Sequence, residues 1–300
     1  GVMSSISFAI ITDLFSFEVR GRVMGFVQMA FAASQVLGIP IGLWLANRYG
    51  WHSPFWMIVG FSILVAISIF IYLKPIDAHL KIKSEQNPFM HLLKTITNPP
   101  YLRAFTATVL LATGGYMLMP FGSAFSIHNL GLKQDDLPYL YGVTGIFAII
   151  IGPLAGKFSD KIGKFNLFFI GTIISMVMVG IYTNLGRTPL EMVMLLNVIL
   201  FMGITSRMVS SSALISAIPE PKDRGAFMSV NSAIQQISGG IASTAAGLIV
   251  VKTESGYLDH YERLGYVVMA SMVFTLFMMY QVNAYAQRQK LAKIQEESKV

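Results

Sequence analysis

The apolar residues of this chain fall into long blocks, and each block is long enough to cross a lipid bilayer. A membrane-spanning helix needs about 20 mostly apolar residues. Hydrophobic residues make up 54% of the sequence and charged residues only 12%, whereas a soluble domain carries about 25% charged residues. The pattern predicts an all-α integral membrane protein, with a partial span at 1–12 and complete spans at 23–46, 54–73, 102–127, 137–156, 165–186, 191–215, 226–250 and 265–286.

Lysine and arginine residues orient these spans, because loops on the cytoplasmic side carry an excess of both. If the loop before span 23–46 is cytoplasmic, that side receives 16 basic residues and the opposite side 5, with Arg207 left inside a span. The long loop 74–101 and the C-terminus are then cytoplasmic. Topology and contact with anionic lipid account for the net charge of +7, so no nucleic-acid partner is implied. Cysteine is absent, which excludes disulfides and thiolate metal sites, and no cofactor is expected.

A short charged segment separates two of the apolar runs and reads G-x-x-x-D-[RK]-x-G-[RK]. Its length predicts a tight aqueous turn between two membrane helices, and an ordinary basic turn is the alternative interpretation. The segment resembles the signature loop of the major facilitator superfamily of transporters. The family usually carries a second basic residue at the next position, where this chain has Phe165. The matching residues are Gly156, Asp160, Lys161, Gly163 and Lys164.

An internal repeat relates the parts of the chain on either side of the long loop. Arg20-Gly21-x-x-Met24 recurs as Arg224-Gly225-x-x-Met228, at an offset of 204 residues, and both copies open a span on the same side. Repeated halves are a known transporter architecture. Small residues also recur every four positions in both copies, which predicts close helix packing. They include Ser34, Gly38 and Gly42 in the first copy and Gly239, Ser243 and Gly247 in the second.

The resemblance implies a fold and a division of the chain. Family members have twelve helices in two six-helix halves, so the chain is expected to start within the fourth helix. We expect a major facilitator-type helical bundle with an incomplete N-terminal half, in which 54–73, 165–186 and 265–286 are outer helices. The expected parts are 1–73 as the remainder of the N-terminal half, 74–101 as a cytoplasmic central loop, 102–287 as a complete six-helix C-terminal half and 288–300 as a cytoplasmic tail.

The resemblance also implies secondary active transport. Residues 38–42 are similar to the antiporter signature of the family. Residues 201–209 and 224–231 resemble a group of drug:proton antiporters described as arabinose or purine-nucleoside efflux permeases. We therefore expect proton-coupled efflux of a small organic molecule, by a monomer in a bacterial inner membrane. Import by symport is the alternative within this class, and a receptor or channel is the alternative outside it. The spans hold no residue cluster typical of a membrane enzyme.

Polar residues within the spans are the candidates for a transport site. Arg207 is the lone charge well inside a span, and substrate binding, helix packing or snorkelling to the surface would each explain it. Tyr116 lies close to Pro120, where a helix could break. Neutral amides lie on the spans that line the central cavity in the family, and interhelical hydrogen bonding is their alternative role. They are Gln28, Gln35, Asn231, Gln235 and Gln236.

Asp160 has a predicted position as well as a motif. The two-fold relation between the halves predicts that it lies near the start of the span at Val23, close to Arg20 and Gly21. A carboxylate at a helix N-terminus gains about 0.3–1 kcal/mol when exposed and up to about 2 kcal/mol when partly buried. Such a contact would exist only while the cytoplasmic side is closed, so its loss would favour the inward-open state.

Overall fold

The computed structural model describes residues 7–8, 10–12, 14–34, 38–72 and 88–297, which form a helical bundle. Strands β1 (Val251–Lys252) and β2 (Leu258–Asp259) pair antiparallel, and short 3-10 turns lie at Met119–Phe121, Gln134–Asp136 and Pro221–Asp223. The helices are α1 (Arg20–Ala33), α2 (Ile39–Tyr49), α3 (Ser53–Tyr72), α4 (Pro88–Thr97), α5 (Pro99–Tyr116), α6 (Gly122–His128), α7 (Leu137–Ile162), α8 (Lys164–Tyr182), α9 (Leu190–Ile215), α10 (Arg224–Ile249) and α11 (Tyr261–Glu297).

The membrane class predicted from the apolar blocks is confirmed. Within the described ranges, six helical segments are long and apolar enough to span a bilayer. Helix α10 falls outside this set, since the amides Asn231, Gln235 and Gln236 interrupt its apolar residues. The six are Ser53–Tyr72, Pro99–His128, Gln134–Ile162, Lys164–Tyr182, Leu190–Ile215 and Tyr261–Gln289.

Hydrogen bonds bring the starts of α1, α5, α8 and α10 together with the ends of α7 and α9 at one end of the bundle. We call this the basic end, because it holds most of the lysine and arginine residues. Helix α1 packs mainly against α7 and α9, whereas α10 and α11 pack against α5, and α8 packs against α9 and α11. Helix α3 contributes no buried residue, in agreement with its expected outer position.

The predicted spans at 23–46 and 102–127 differ in what the structure describes of them. The described part of the span at 23–46 comprises α1 and α2, with π-helical residues at Ser34 and Gly38 next to residues 35–37, which lie outside the described part. The span at 102–127 is divided between α5 and α6 around the turn that contains Pro120, and this confirms the predicted break next to Tyr116.

The predicted tight turn between two helices is present, but it is shorter than the charged segment at 156–164. Residues 156–162 complete α7, and Lys164 already begins α8. Gly163 alone makes the turn, with a φ of 96° that favours glycine. The predicted length of the turn was wrong because helix α7 continues beyond its apolar residues, so the apolar run ends before the helix does.

The ends of two other predicted parts also differ. Helix α11 continues to Glu297, so most of the expected tail at 288–300 is helical. Part of the expected central loop is also helical, since α4 lies within it. The remainder of that loop at 74–87 lies outside the described residues.

Candidate functional site

The Asp160 side chain lies against the first turn of α1. Its Oδ1 accepts a hydrogen bond from the Gly21 backbone N at 3.0 Å, and its Oδ2 accepts one from the Arg22 backbone N at 2.9 Å. The first backbone N–H groups of a helix have no partner within the helix, and the helix dipole favours an anion there. This arrangement, which we call the Asp160 contact, has the position that the two-fold relation predicts.

Lys164 completes the Asp160 contact from the start of α8. Its Nζ donates to Asp160 Oδ1 at 3.1 Å and lies 4.2 Å from the centre of the Phe17 ring. The residue is buried, with 7% of its surface exposed. Lys164 follows Asp160 by four residues, across the turn at Gly163. The two side chains therefore form an ion pair between the end of α7 and the start of α8. Lys161, which belongs to the same motif, is exposed.

Four glycines allow α1 and α7 to approach closely enough for the Asp160 contact to form. A Cβ added at Gly156 would lie 2.5 Å from the Gly21 carbonyl oxygen, and one added at Gly152 would lie 2.8 Å from the carbonyl oxygen of Gly25. Helices pack this closely only where side chains are absent. Gly21 and Gly156 belong to the motifs recognised in the sequence, whereas Gly25 and Gly152 were not predicted. Their spacing of four residues from the named pair was the available signal.

Arg20 joins three segments at the same end of the bundle. Its guanidinium donates to the carbonyl oxygens of Thr12 at 2.9 Å, Phe15 at 3.1 Å and Ser216 at 3.3 Å. Ser216 follows the last residue of α9, where free carbonyl groups and the helix dipole attract a cation. The first copy of the repeat therefore holds a buried arginine and a glycine that meets a carboxylate.

The second copy of the repeat has different surroundings. No described residue lies within 4 Å of a Cβ added at Gly225. Arg224 begins α10, and the Asp223 carboxylate before it is bound by His91 and Tyr101. The two copies are thus alike in sequence, while only the first meets the acidic residue of the signature segment.

Several of the predicted cavity residues lie between α5 and α10. Thr108 donates to the Asn231 side-chain oxygen at 2.6 Å, and Tyr116 donates to Gln236 at 3.4 Å. Gly239 lies against the Tyr116 ring, since a Cβ added at Gly239 would lie 2.9 Å from the ring atom Cγ. Gln235 is partly buried on the same helix. The side chain of Gln28 and the whole of Gln35 lie outside the described residues.

The predicted close packing by small residues is present at only part of the expected places. Within the described structure, a Cβ added at Gly38, Gly42 or Gly247 would meet nothing within 4 Å, and Ser34 is exposed. Close packing at these four positions therefore stays a prediction. Tight helix contacts lie instead between α1 and α7 and, at Gly171 and Gly203, between α8 and α9.

Arg207 is not grouped with the polar residues of α5 and α10. It is 4% exposed, and its guanidinium carbon lies 5.7 Å from the centre of the Phe168 ring on α8. Its Nε and Nη2 atoms are buried without a hydrogen-bond partner among the described residues. The side chain therefore lies between α8 and α9, where packing is its observed contact.

Comparisons with known proteins agree with this architecture. The sequence profile of the Major Facilitator Superfamily matches residues 1–243. Multidrug resistance protein 2 of Bacillus subtilis (strain 168) is 25% identical over 162 residues, which are 52% of this chain and 40% of the relative. Multidrug resistance protein 1 of the same organism is 23% identical over 250 residues, 80% of this chain and 61% of the relative. The chain thus spans about half the length of these relatives.

A solved structure shows the same fold. The crystal structure of a bacterial homologue of the iron transporter ferroportin, in its outward-facing state, superposes with a TM-score of 0.69 at 16% sequence identity. The match covers 91% of this chain and 66% of that one. At this identity the likeness concerns the path of the helices only.

Proposed function

Since this chain belongs to the major facilitator superfamily, we propose that it works as a secondary active transporter by alternating access. The basic end is assigned to the cytoplasm, with the C-terminus inside, because basic residues accumulate at that end. The Bacillus subtilis relatives support a place in a bacterial inner membrane. The observation that carries the proposal is the Asp160 contact, which joins α7 of one half to the start of α1 in the other.

The Asp160 contact supplies a reversible closure of the cytoplasmic side. The Gly21 and Arg22 backbone N–H groups bind the carboxylate only while α1 and α7 touch, whereas Lys164 is a local partner four residues after Asp160. Arg20 adds a second link, since it binds the carbonyl of Ser216 at the end of α9. When the halves separate, water replaces the two backbone N–H groups and the Ser216 carbonyl. A contact of this kind contributes about 1–2 kcal/mol, so the closed state is favoured and opening still remains accessible.

The substrate region is proposed between α5 and α10. The groups that meet there are neutral hydrogen-bonding groups and an aromatic ring, namely Asn231, Gln236, Thr108 and Tyr116. Such groups suit a polar, uncharged or weakly charged organic molecule. The helix break after Tyr116 lets this region change shape. Two relatives are named as multidrug resistance proteins, which supports efflux, and we propose exchange with protons as its driving force.

The test is transport by the complete protein in inverted membrane vesicles with an imposed pH gradient. Ethidium, radiolabelled arabinose and radiolabelled inosine serve as probes. Proton-coupled efflux predicts that at least one probe accumulates inside vesicles with an acidic interior and leaves again when the gradient is dissipated. Accumulation that requires an acidic exterior would instead identify a symporter. No gradient-dependent movement of any probe would contradict the proposed coupling.

A further inference from the structure

Helix α4 presents its apolar side away from the other described helices. Leu92, Leu93 and Ile96 are 40%, 46% and 40% exposed, whereas Thr95 is 2% exposed. Residues three and four apart share one face of a helix, so these three leucine and isoleucine side chains form a single stripe. A helix on a protein in water usually buries its apolar stripe and exposes its polar side. Helix α4 instead exposes this stripe, while Thr95 on its other side is buried.

The position of α4 in the chain keeps this stripe next to the membrane. Only Asn98 separates α4 from α5, and α5 opens the membrane-spanning segment Pro99–His128. Helix α4 therefore ends one residue before the segment that spans the bilayer begins. Lys94 on α4 and Arg103 near the start of α5 are both exposed at this end, where they suit negatively charged lipid headgroups.

The opposite side of α4 is bound to the protein through polar groups. The His91 ring nitrogen Nε2 lies 2.7 Å from Asp223 Oδ1. The Tyr101 hydroxyl donates to Asp223 Oδ2 at 2.9 Å and accepts from the Glu220 backbone N at 3.1 Å. Asp223 directly precedes α10. A shift of α4 would therefore be transmitted to the cytoplasmic end of a helix that carries Asn231 and Gln236.

We propose that α4 is a membrane-surface helix whose stripe of Leu92, Leu93 and Ile96 inserts into the cytoplasmic leaflet, with Lys94 and Arg103 at its anionic headgroups. Apolar insertion combined with basic side chains is the general basis of such binding. Because Asp223 binds the polar side of α4, the start of α10 is then held at a fixed position relative to the membrane surface. This inference depends on the membrane location of the chain and is independent of the direction or substrate of transport.

The test places an environment-sensitive fluorophore on single cysteines of the complete protein, after replacement of any other cysteine. Leu93→Cys reports the stripe, and Lys222→Cys, on the exposed loop before α10, is the matched control. In vesicles of phosphatidylethanolamine and phosphatidylglycerol, lipids with a shallow nitroxide should quench the probe at position 93 and leave that at 222 unaffected. Lys94→Gln should lower the ratio of inserted to free helix, read from fluorescence lifetimes, about fivefold.

Two results would overturn the proposal. Equal quenching at positions 93 and 222 would mean that the stripe does not enter the bilayer. Quenching of the stripe by nitroxide on a second protein copy, together with disulfide cross-linking of Leu93→Cys between copies at low protein-to-lipid ratio, would show that another copy of the chain covers it. If Leu93→Cys folds poorly, Leu92→Cys carries the same test, because it lies in the same stripe.

Discussion

Replacement of Asp160 by asparagine should shift the transporter towards its inward-open state. Asparagine keeps one acceptor oxygen and nearly the same volume, but it removes the charge that binds two backbone N–H groups and Lys164. The helix-start interaction of a partly buried carboxylate contributes up to about 2 kcal/mol. Lys164 would also lose its ionic partner while it stays buried in the closed state, which disfavours that state further.

A loss of about 1–2 kcal/mol corresponds to a change of about 5- to 30-fold in the ratio of the two states. The assay is the rate of maleimide labelling at Ala155→Cys, on α7. Ala155 is 4% exposed and belongs to a buried apolar cluster that includes Met24 of α1. The cysteine is therefore protected while α1 and α7 touch. Asp160→Asn should increase its labelling rate by that factor and should reduce transport, with little effect on the amount of protein in the membrane.

Asp136→Asn is the matched control. Asp136 also accepts a backbone hydrogen bond at a helix start, from Lys133 N at 2.9 Å, but it lies at the far end of α7 from Asp160. This variant should leave the labelling of Ala155→Cys unchanged. If Asp160→Asn also left both labelling and transport unchanged, the Asp160 contact would have no part in closing the protein.

Three further predictions concern the same helices. Gly156→Ala should hinder closure and lower the measured transport rate, because overpacking costs about 1–3 kcal/mol. Gly142→Ala on the same helix should transport normally, since its added Cβ meets nothing within 4 Å. Equal transport rates for the two variants would contradict the close approach of α1 and α7. Arg207→Lys should retain most of the transport rate, since the Arg207 side chain packs against Phe168. A severe loss of transport in vesicles with normal protein levels would instead indicate a substrate or proton role that needs the planar guanidinium group. Asn231→Ala should raise the substrate concentration for half-maximal transport about tenfold, the effect of a lost hydrogen bond of ~1.4 kcal/mol; an unchanged value would place the substrate elsewhere.

The sequence predicted the membrane class and the location of most helices, because block length and composition respond directly to the bilayer. The break near Tyr116 was also predictable, since Pro120 cannot continue a helix hydrogen-bond ladder. The length of the turn at the charged segment was not, because helix α7 continues for almost two turns beyond its apolar run. Hydrophobicity reports where a helix leaves the membrane and says little about where it ends.

The candidate site was predictable where a repeat supplied a spatial relation. The similarity of residues 20–24 and 224–228 suggested related halves, and that relation was enough to bring Asp160 to the start of α1. No comparable signal indicated which face of α9 carries Arg207. Its orientation towards Phe168 depends on how α8 and α9 pack at Gly171 and Gly203, and periodicity within a helix that is apolar on all sides does not specify that rotation.

The central claim is that α1 and α7 separate at the basic end during transport. Its most direct test is the distance between spin labels at Val19→Cys and Phe158→Cys, two side chains that are 41% and 51% exposed, measured by pulsed electron resonance in the complete protein in lipid. Separation of α1 from α7 predicts two distances that exchange population when a pH gradient or substrate is applied, with the shorter one depleted by Asp160→Asn. A single distance that neither the gradient, the substrate nor the substitution changes would contradict it.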